Sequence, residues 1–194
     1  MHCAAAMLGE AGRSRVSGVD ISFRPLAITD LENIVQWMLD DCVRRWWYPH
    51  QETEEEIRAE WEPRVRGEPN DEDKTDRYVV SVDAIDIGII QTSDFADYPD
   101  HAAEMQIADA AGVDVLIGLP EWRNRGVGTA LIRKFVNEVI FVNPAIQRCT
   151  IDPHPENRPA IRAYEKVGFR YVRTFRSMVE NVDIYLMVMD RPVT

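Results

Sequence analysis

Residues Val113 to Thr129, VDVLIGLPEWRNRGVGT, place the strongest constraint on how this 194-residue chain can fold. An apolar run rich in Val, Leu and Ile reads as a strand, and a turn rich in Arg and Gly follows it. Val127, Leu131, Phe135 and Val139 then recur four apart, as on one face of a helix. A strand, a basic turn and a helix N-terminus in that order form an anion site. Gly126 and Gly128 let a ligand come close to the backbone, and the first N–H groups of the helix have no partners of their own. The helix dipole adds partial positive charge, and Arg123 and Arg125 supply full charges at the rim. An ordinary loop before a helix has the same residues. No Lys-Ser/Thr pair follows the second Gly, which excludes a P-loop, and the three-glycine dinucleotide spacing is absent.

A second strand and helix come next. Cys149 to Asp152 ends a strand, Asn157 is suited to cap a helix, and Pro159 falls in the first turn, where its missing N–H costs nothing. Ala160, Ala163, Tyr164 and Val167 share a face, and Gly168 ends the helix.

These two units resemble the GNAT superfamily of acetyl-CoA-dependent N-acetyltransferases. Arg123-x-x-Gly126-x-Gly128 is similar to that superfamily's pyrophosphate loop. Asn157 followed by Ala160-Ile161-x-x-Tyr164-Glu165-Lys166-x-Gly168-Phe169 is similar to its closing motif. More narrowly, Gly112-Val113-Asp114 and Thr150-x-Asp152-Pro153-x-Pro155-x-Asn157 resemble the aminoglycoside 6′-N-acetyltransferases. The close resemblance covers about residues 112 to 170 and a looser one reaches back to about residue 20, whereas Asp94 to Ala111 and Ser177 to Asp183 match poorly.

Length and composition agree with one domain. A chain of this size that is 45% hydrophobic can bury a sizeable core. No apolar run approaches the roughly 18 residues of a membrane span, and Ala4 to Leu8 is too short for a signal peptide, so a cytoplasmic protein is expected. Cys3, Cys42 and Cys149 and the four His residues are scattered without zinc or redox spacing. Neither a metal nor a disulfide is expected.

Charge is divided along the chain. Residues 1–122 hold 10 basic and 26 acidic side chains, and residues 123–194 hold 12 and 7. From Tyr78 through Trp122 there is no Lys or Arg, while acids from Asp83 to Glu121 are frequent. An acidic cleft attracts a polycation and repels nucleic acid, although acids also serve solubility.

Residues 1–19 lack periodicity and read as a mobile extension before a domain over 20–194. Ile21 to Leu26 reads as a first strand. Thr29-Asp30 then caps a helix carrying Leu31, Ile34, Val35 and Met38, with Trp37 beside them. In Arg44 to Pro49, Trp46 and Trp47 can line a cavity, where flat faces stack on a sugar ring or a cation, or plug the core. Glu52 to Val65 reads as an acidic helix, Gly67 to Asp76 as a loop, and Arg77 to Asp83 with Ile85 to Thr92 as a hairpin turning around Ala84 to Asp86. Asp94 to Ala111 is an excursion on the substrate side. Arg170 to Phe175 and Val182 to Met189 close the chain as strands. The order β α α β β β α β α β β gives an α/β, mixed-sheet (α+β) single domain, as the GNAT resemblance implies.

The resemblance also implies roles. Val115, Leu116 and Ile117 would meet the pantetheine arm through their backbone. Arg123, Asn124, Arg125, Gly126, Val127, Gly128 and Thr129, with Asn157, Ala160, Tyr164 and Lys166, would hold acetyl-CoA. Acetyl transfer needs a neutral amine, donors for an oxyanion and a proton for the departing thiolate. Asp114, in a strand just before the loop, can bind the ammonium and take its proton, or can pin a loop. Tyr164 is protonated at neutral pH and can supply the thiolate proton, or can simply pack. Asp152, ending the next strand, can hold a second amine or stabilise its own turn. The expected acceptor is a cationic amine bound between Asp114, Asp152, Trp46 and Trp47, foremost an aminoglycoside at its 6′-amine. A lysine-derived siderophore precursor or other metabolite amine is the alternative, and a non-catalytic acyl-CoA sensor the third. No nucleic acid or membrane partner is expected, and the chain is expected to be a monomer or homodimer.

Overall fold

The computed structural model describes residues 18–47, 53–68, 72–178 and 181–193. Seven strands form one sheet in the order β1-β2-β3-β4-β5-β7-β6. They are β1 (Ile21–Pro25), β2 (Asp76–Val82), β3 (Ile85–Asp94), β4 (Ala110–Ile117), β5 (Arg148–Ile151), β6 (Arg170–Arg176) and β7 (Asp183–Asp190). Neighbours are antiparallel except β4 and β5, which run parallel. The helices are α1 (Leu31–Leu39), α2 (Asp41–Arg44), α3 (Glu54–Arg66), α4 (Pro99–Met105), α5 (Val127–Phe135, continued by a π-helical turn Val136–Ile140) and α6 (Arg158–Val167). The expected mixed sheet and element order are present, with the short α2 and α4 added. Val19 packs against the core, and residues 1–17 lie outside the described residues.

The sheet is covered on both faces. Leu31, Ile34, Val35, Trp37 and Met38 of α1 and Ile57 and Trp61 of α3 pack with Ile89 and Leu116 on one face. Further along that face α4 covers a smaller cluster of Phe95, Met105, Ala110, Ile184 and Leu186. On the other face Val127, Leu131 and Phe135 of α5 and Ile161, Tyr164 and Val167 of α6 pack against Ala111, Val113 and the neighbouring strands. The alternation of a strand assigns these sides. Ala110, Gly112, Asp114 and Leu116 belong to the α1/α3/α4 face; Ala111, Val113, Val115 and Ile117 belong to the α5/α6 face.

β4 and β5 pair over only three positions, Ala110 with Arg148, Ala111 with Cys149 and Gly112 with Thr150. β4 then continues to Ile117, bound only to β3. β5 stays with β7 through Ile151 and leaves the sheet at Asp152-Pro153. The two strands therefore open like a V from Gly112 onward.

Three local expectations change. Asp30 does not cap α1 with its side chain. Its buried carboxylate accepts instead from the Ala27 N–H and both terminal nitrogens of Arg24. Burial alone would push the Asp30 carboxyl up, but the Arg24 hydrogen bonds bring it below its usual value. Second, Cys42 is disulfide-bonded, where no disulfide was expected. Wide spacing in sequence does not exclude closeness in space. Cys149 is a buried free thiol.

Third, the β2–β3 turn is Asp83-Ala84, with φ of 50° and 64°. Two positive φ values are the signature of the hairpin turn whose twist matches the strands. Asp83 is held by the Asp20 main chain at 2.8 and 2.9 Å, but Ala84 bears the steric cost of a left-handed conformation. Ala84→Gly should therefore raise stability by about 0.5–1 kcal/mol in chemical denaturation, without changing the m-value.

Candidate active site

The basic turn lies between the end of β4 and α5. Asn124 and Gly126 adopt φ of 60° and 83°, and this reverses the chain into α5. The first helical bond runs from the Ala130 N–H to the Gly126 carbonyl at 3.2 Å. The N–H groups of Val127, Gly128 and Thr129 are consequently left at the helix end, facing out. Asn124, Arg125 and Gly126 are exposed beside them. Thr129 also contacts the Ala163 carbonyl at 3.5 Å and ties α5 to α6.

Arg123 does not stand at the rim. Its Nε donates to the Ile117 carbonyl at 2.8 Å, one terminal nitrogen to the Gly118 carbonyl at 2.6 Å and the other to Asp40 at 2.8 Å. Asp40 also caps α2 through the Cys42 and Val43 N–H groups. Arg123 thus locks the turn to the corner between α1 and α2. Unpaired main-chain carbonyls at the end of β4 attract the guanidinium inward more strongly than open solvent does. Close packing seals the same corner: a methyl group at Gly118 would lie 2.0 Å from Trp37 Cγ.

The opened edge of β4 supplies main-chain donors. Gly118 N–H bonds the Ile87 carbonyl at 2.7 Å, and the antiparallel register alternates from there. Val113, Val115 and Ile117 accordingly turn their polar groups toward the gap, while Leu116 turns its own toward β3. Leu116 thus serves the α1/α3 core with its side chain and does not offer its N–H to the gap.

Asp114 and Tyr164 flank that gap. The Asp114 side chain is solvent-exposed, and the mass of protein around it pushes its carboxyl up from the usual value, with Gln91, His101 and Arg77 opposing. A carboxylate on the floor of an open cleft has both properties. Gln91, directly opposite on β3, donates to Asp114 Oδ2 at 3.0 Å. Tyr164 comes from α6 on the other face. Burial pushes its phenol up, and the Asp114 and Asp152 carboxylates push it further. Tyr164 thus lies within electrostatic reach of both acids and stays protonated. Asp152 is half-buried where β5 leaves the sheet.

The two tryptophans separate. Trp47 packs toward the α1/α3 core. Trp46 lies tilted on His154, with ring centroids 5.6 Å apart, and carries Arg45 4.5 Å from its ring centre. Trp46 and His154 line a recess of about 260 Å³ with Arg45, Glu156, Arg176 and Asp183. Tyr48 and Pro49 lie outside the described residues. Asn157 caps α6 through the Ala160 N–H at 3.3 Å, and Ala160 packs on the core. Lys166 is exposed near the end of α6, its carbonyl held by Arg133.

Residues 27–177 match the family model of the acetyltransferase (GNAT) domain. The chain belongs to the GNAT acetyltransferases. Among curated GNAT-like relatives, it is 26% identical over 156 residues to the aminoglycoside N(6′)-acetyltransferase type 1 of Klebsiella pneumoniae, covering 79% of this chain and 75% of that protein. A kanamycin resistance protein of Rhizobium radiobacter is 40% identical over 58 residues, 30% of this chain and 53% of that one. The crystal structure of aminoglycoside acetyltransferase AAC(6′)-Ib in complex with coenzyme A and kanamycin superposes with a TM-score of 0.75 at 25% identity, covering 89% and 95% of the two chains.

Two GNAT-site neighbours have little signal in the sequence. Gln91 is visible there only as a polar residue in an otherwise apolar strand, and its pairing with Asp114 needs the β3–β4 register. His101 has no sequence signal, because α4 folds it back over the sheet. Among the described residues, no cluster of three or more His, Cys, Asp or Glu side chains is arranged to hold a metal ion, and no helix is long and apolar enough to cross a membrane.

The anion cradle can be separated from folding. A Cβ at Gly128 would meet only Ile117 Cδ1, at 3.6 Å, and an acid in the first turn of a helix favours the helix. Gly128→Asp should keep or slightly raise the melting temperature and weaken acetyl-CoA binding at least tenfold by calorimetry, about 1.4 kcal/mol or more.

Proposed function

We propose that this GNAT protein transfers the acetyl group of acetyl-CoA to a primary amine of a cationic small molecule, foremost the 6′-amine of an aminoglycoside. The observation that carries this reading is the placement of Asp114 and Tyr164 on opposite faces of the parted strands. An amine entering from the α1/α3/α4 face reaches Asp114, while an acyl donor held at the α5 N-terminus lies beside Tyr164.

The residues present fit such a donor. The exposed first turn of α5 would hold its pyrophosphate, and the turned-out main chain of Val115 and Ile117 would hold its arm. Acetyl-CoA, when bound, supplies the thioester. Asp114 binds the ammonium and accepts one proton from it, so that the nitrogen lone pair can attack. As the new C–N bond forms and the C–S bond breaks, main-chain N–H groups at the gap stabilise the carbonyl oxygen. Tyr164 then gives its proton to the departing sulfur, and the second proton still carried by the acylated nitrogen returns to the Tyr164 oxygen, leaving a neutral amide and a restored phenol. The reaction is direct, in a ternary complex, with Asp152 and Trp46 positioning the rest of the acceptor.

The relatives named for aminoglycosides support that acceptor, and so does the run without Lys or Arg from Tyr78 through Trp122. A second reading, a metabolite amine that also carries an anionic group, is favoured by Arg45 and Arg176 beside Glu156 and Asp183 in the recess. Release of CoA thiol with kanamycin and tobramycin, but not with lysine or spermidine, is the expected result. Turnover confined to lysine would reverse the order of the two readings, and binding of acetyl-CoA without turnover of any amine would favour a sensor.

Asp114→Asn should lower kcat/KM at least 100-fold. Because the base acts unprotonated and its carboxyl is pushed up, wild-type kcat/KM should rise with pH above the ordinary carboxylate range. It should not fall until Tyr164 ionises, beyond a phenol's usual value of about 10. A carboxyl raised in the folded state stabilises the protein at low pH, and that contribution is lost as pH rises through the folded value. The Asn variant should thus melt no lower than wild type at pH 8, which separates lost chemistry from lost folding.

A further inference from the structure

Among the described residues, His101 is the imidazole that acts electrostatically on Asp114, and no sequence motif assigns it a role. A short chain of contacts fixes its place. Gly112 and Asp114 share a face of β4, two residues apart and so about 7 Å along the strand. Phe95 lies over Gly112, close enough that a Cβ there would sit 3.4 Å from the Phe95 ring. His101 packs edge-on against Phe95, with centroids 5.0 Å apart and ring planes at 88°. The half-buried imidazole is thereby held one aromatic ring away from Gly112, where the V starts, and it is close enough to Asp114 for the two charges to act on each other.

The helix that carries it is anchored at its other end. Glu104 accepts from Ser177 Oγ at 2.9 Å and from the Met178 N–H at 2.7 Å, and its carbonyl accepts from Arg173 at 2.6 Å. These bonds clamp α4 to the connection between β6 and β7, so the imidazole is positioned by a fixed element. The charged groups that act on it are Asp114 from β4 and Glu104 from its own helix; Arg173 of β6 holds the Glu104 carbonyl, and Arg77 of β2 acts on Asp114.

We propose that His101 is a positioning residue that relays the substrate proton away from Asp114. The inference rests on the acetyl-transfer reading of the site. The ammonium gives a proton to the Asp114 carboxylate and keeps the electron pair that attacks the thioester. The Asp114 carboxyl then passes that proton through cleft solvent to the neutral imidazole, and the imidazolium releases it to bulk water. Asp114 returns as a carboxylate, ready for the next turnover. Burial pushes His101 down from its ordinary value, against the pull of Asp114 and Glu104, and this keeps the imidazole neutral and able to receive at neutral pH.

Two measurements test the relay. The first is an NMR titration of the His101 ring in wild type and Asp114→Asn, which needs no turnover. Loss of the carboxylate should lower the His101 pKa, and an unchanged titration would overturn the placement. The second compares pH profiles of kcat/KM for wild type, His101→Asn and His101→Ala with kanamycin or whichever amine the wild type acetylates. The variants should lose about tenfold at neutral pH with an unchanged KM for acetyl-CoA, and added imidazole should restore much of the His101→Ala rate. An active enzyme whose folded variants keep the wild-type profile and show no rescue would overturn the relay alone. A wild type that acetylates no amine would overturn the site reading, and the relay with it. If His101→Asn does not fold, His101→Gln replaces it in the same comparison.

Discussion

The site depends on one constraint in the sheet: parallel pairing of β4 and β5 stops after three residue pairs. β5 is fully paired with β7 on its other side, so the sheet stays whole there while the β4 edge is left open. The segment after Ile151 prevents closure. Asp152-Pro153-His154-Pro155 contains two residues without a backbone N–H, and each proline biases its predecessor away from helix and toward extended backbone. The Pro153 carbonyl is instead held by the Tyr185 N–H at 3.0 Å, which draws the segment toward β7. A cleft lined by main-chain polar groups results, and ligand or water must satisfy them.

The opening gives the chemistry its geometry. Because successive residues of β4 face opposite sides, Asp114 and Val115 look into different halves of the cleft. The acidic half of the sequence builds the side where a cation would enter, and the basic half builds the side where an anionic coenzyme would lie. Arg123 joins the two halves. It holds the Ile117 and Gly118 carbonyls at one end and Asp40 at the other, so the cradle, the end of β4 and the helix leading to Trp46 are fixed relative to one another.

Much of this was legible in the sequence, for identifiable reasons. The strand, turn and helix around Gly126 have local signals that need no distant partner: β-branched residues, glycines and a four-residue apolar repeat. Asn157 and Gly168 marked α6 in the same way. Asp114 stood out because an acid inside an apolar strand is costly unless it has a use. Contacts between distant segments were not legible. Asp30 was expected to cap α1 and binds Arg24 instead; Arg123 was expected at the rim and lies inward; Leu116 was grouped with neighbours whose main chains face the other way. Gln91, His101 and the Glu104 clamp depend on strand register and on the fold of α4, whose sequence carries alternating Ala and acid residues with little apolar pattern.

Every role proposed for the site requires that the opened β4 edge and the α5 N-terminus together hold the acyl donor. Amide hydrogen exchange with and without acetyl-CoA reads this residue by residue. Protection should concentrate at Val115, Ile117 and Val127 to Thr129, with little change at Leu116, whose N–H already serves β3. Protection centred elsewhere, or none at these amides while acetyl-CoA is bound, would contradict it.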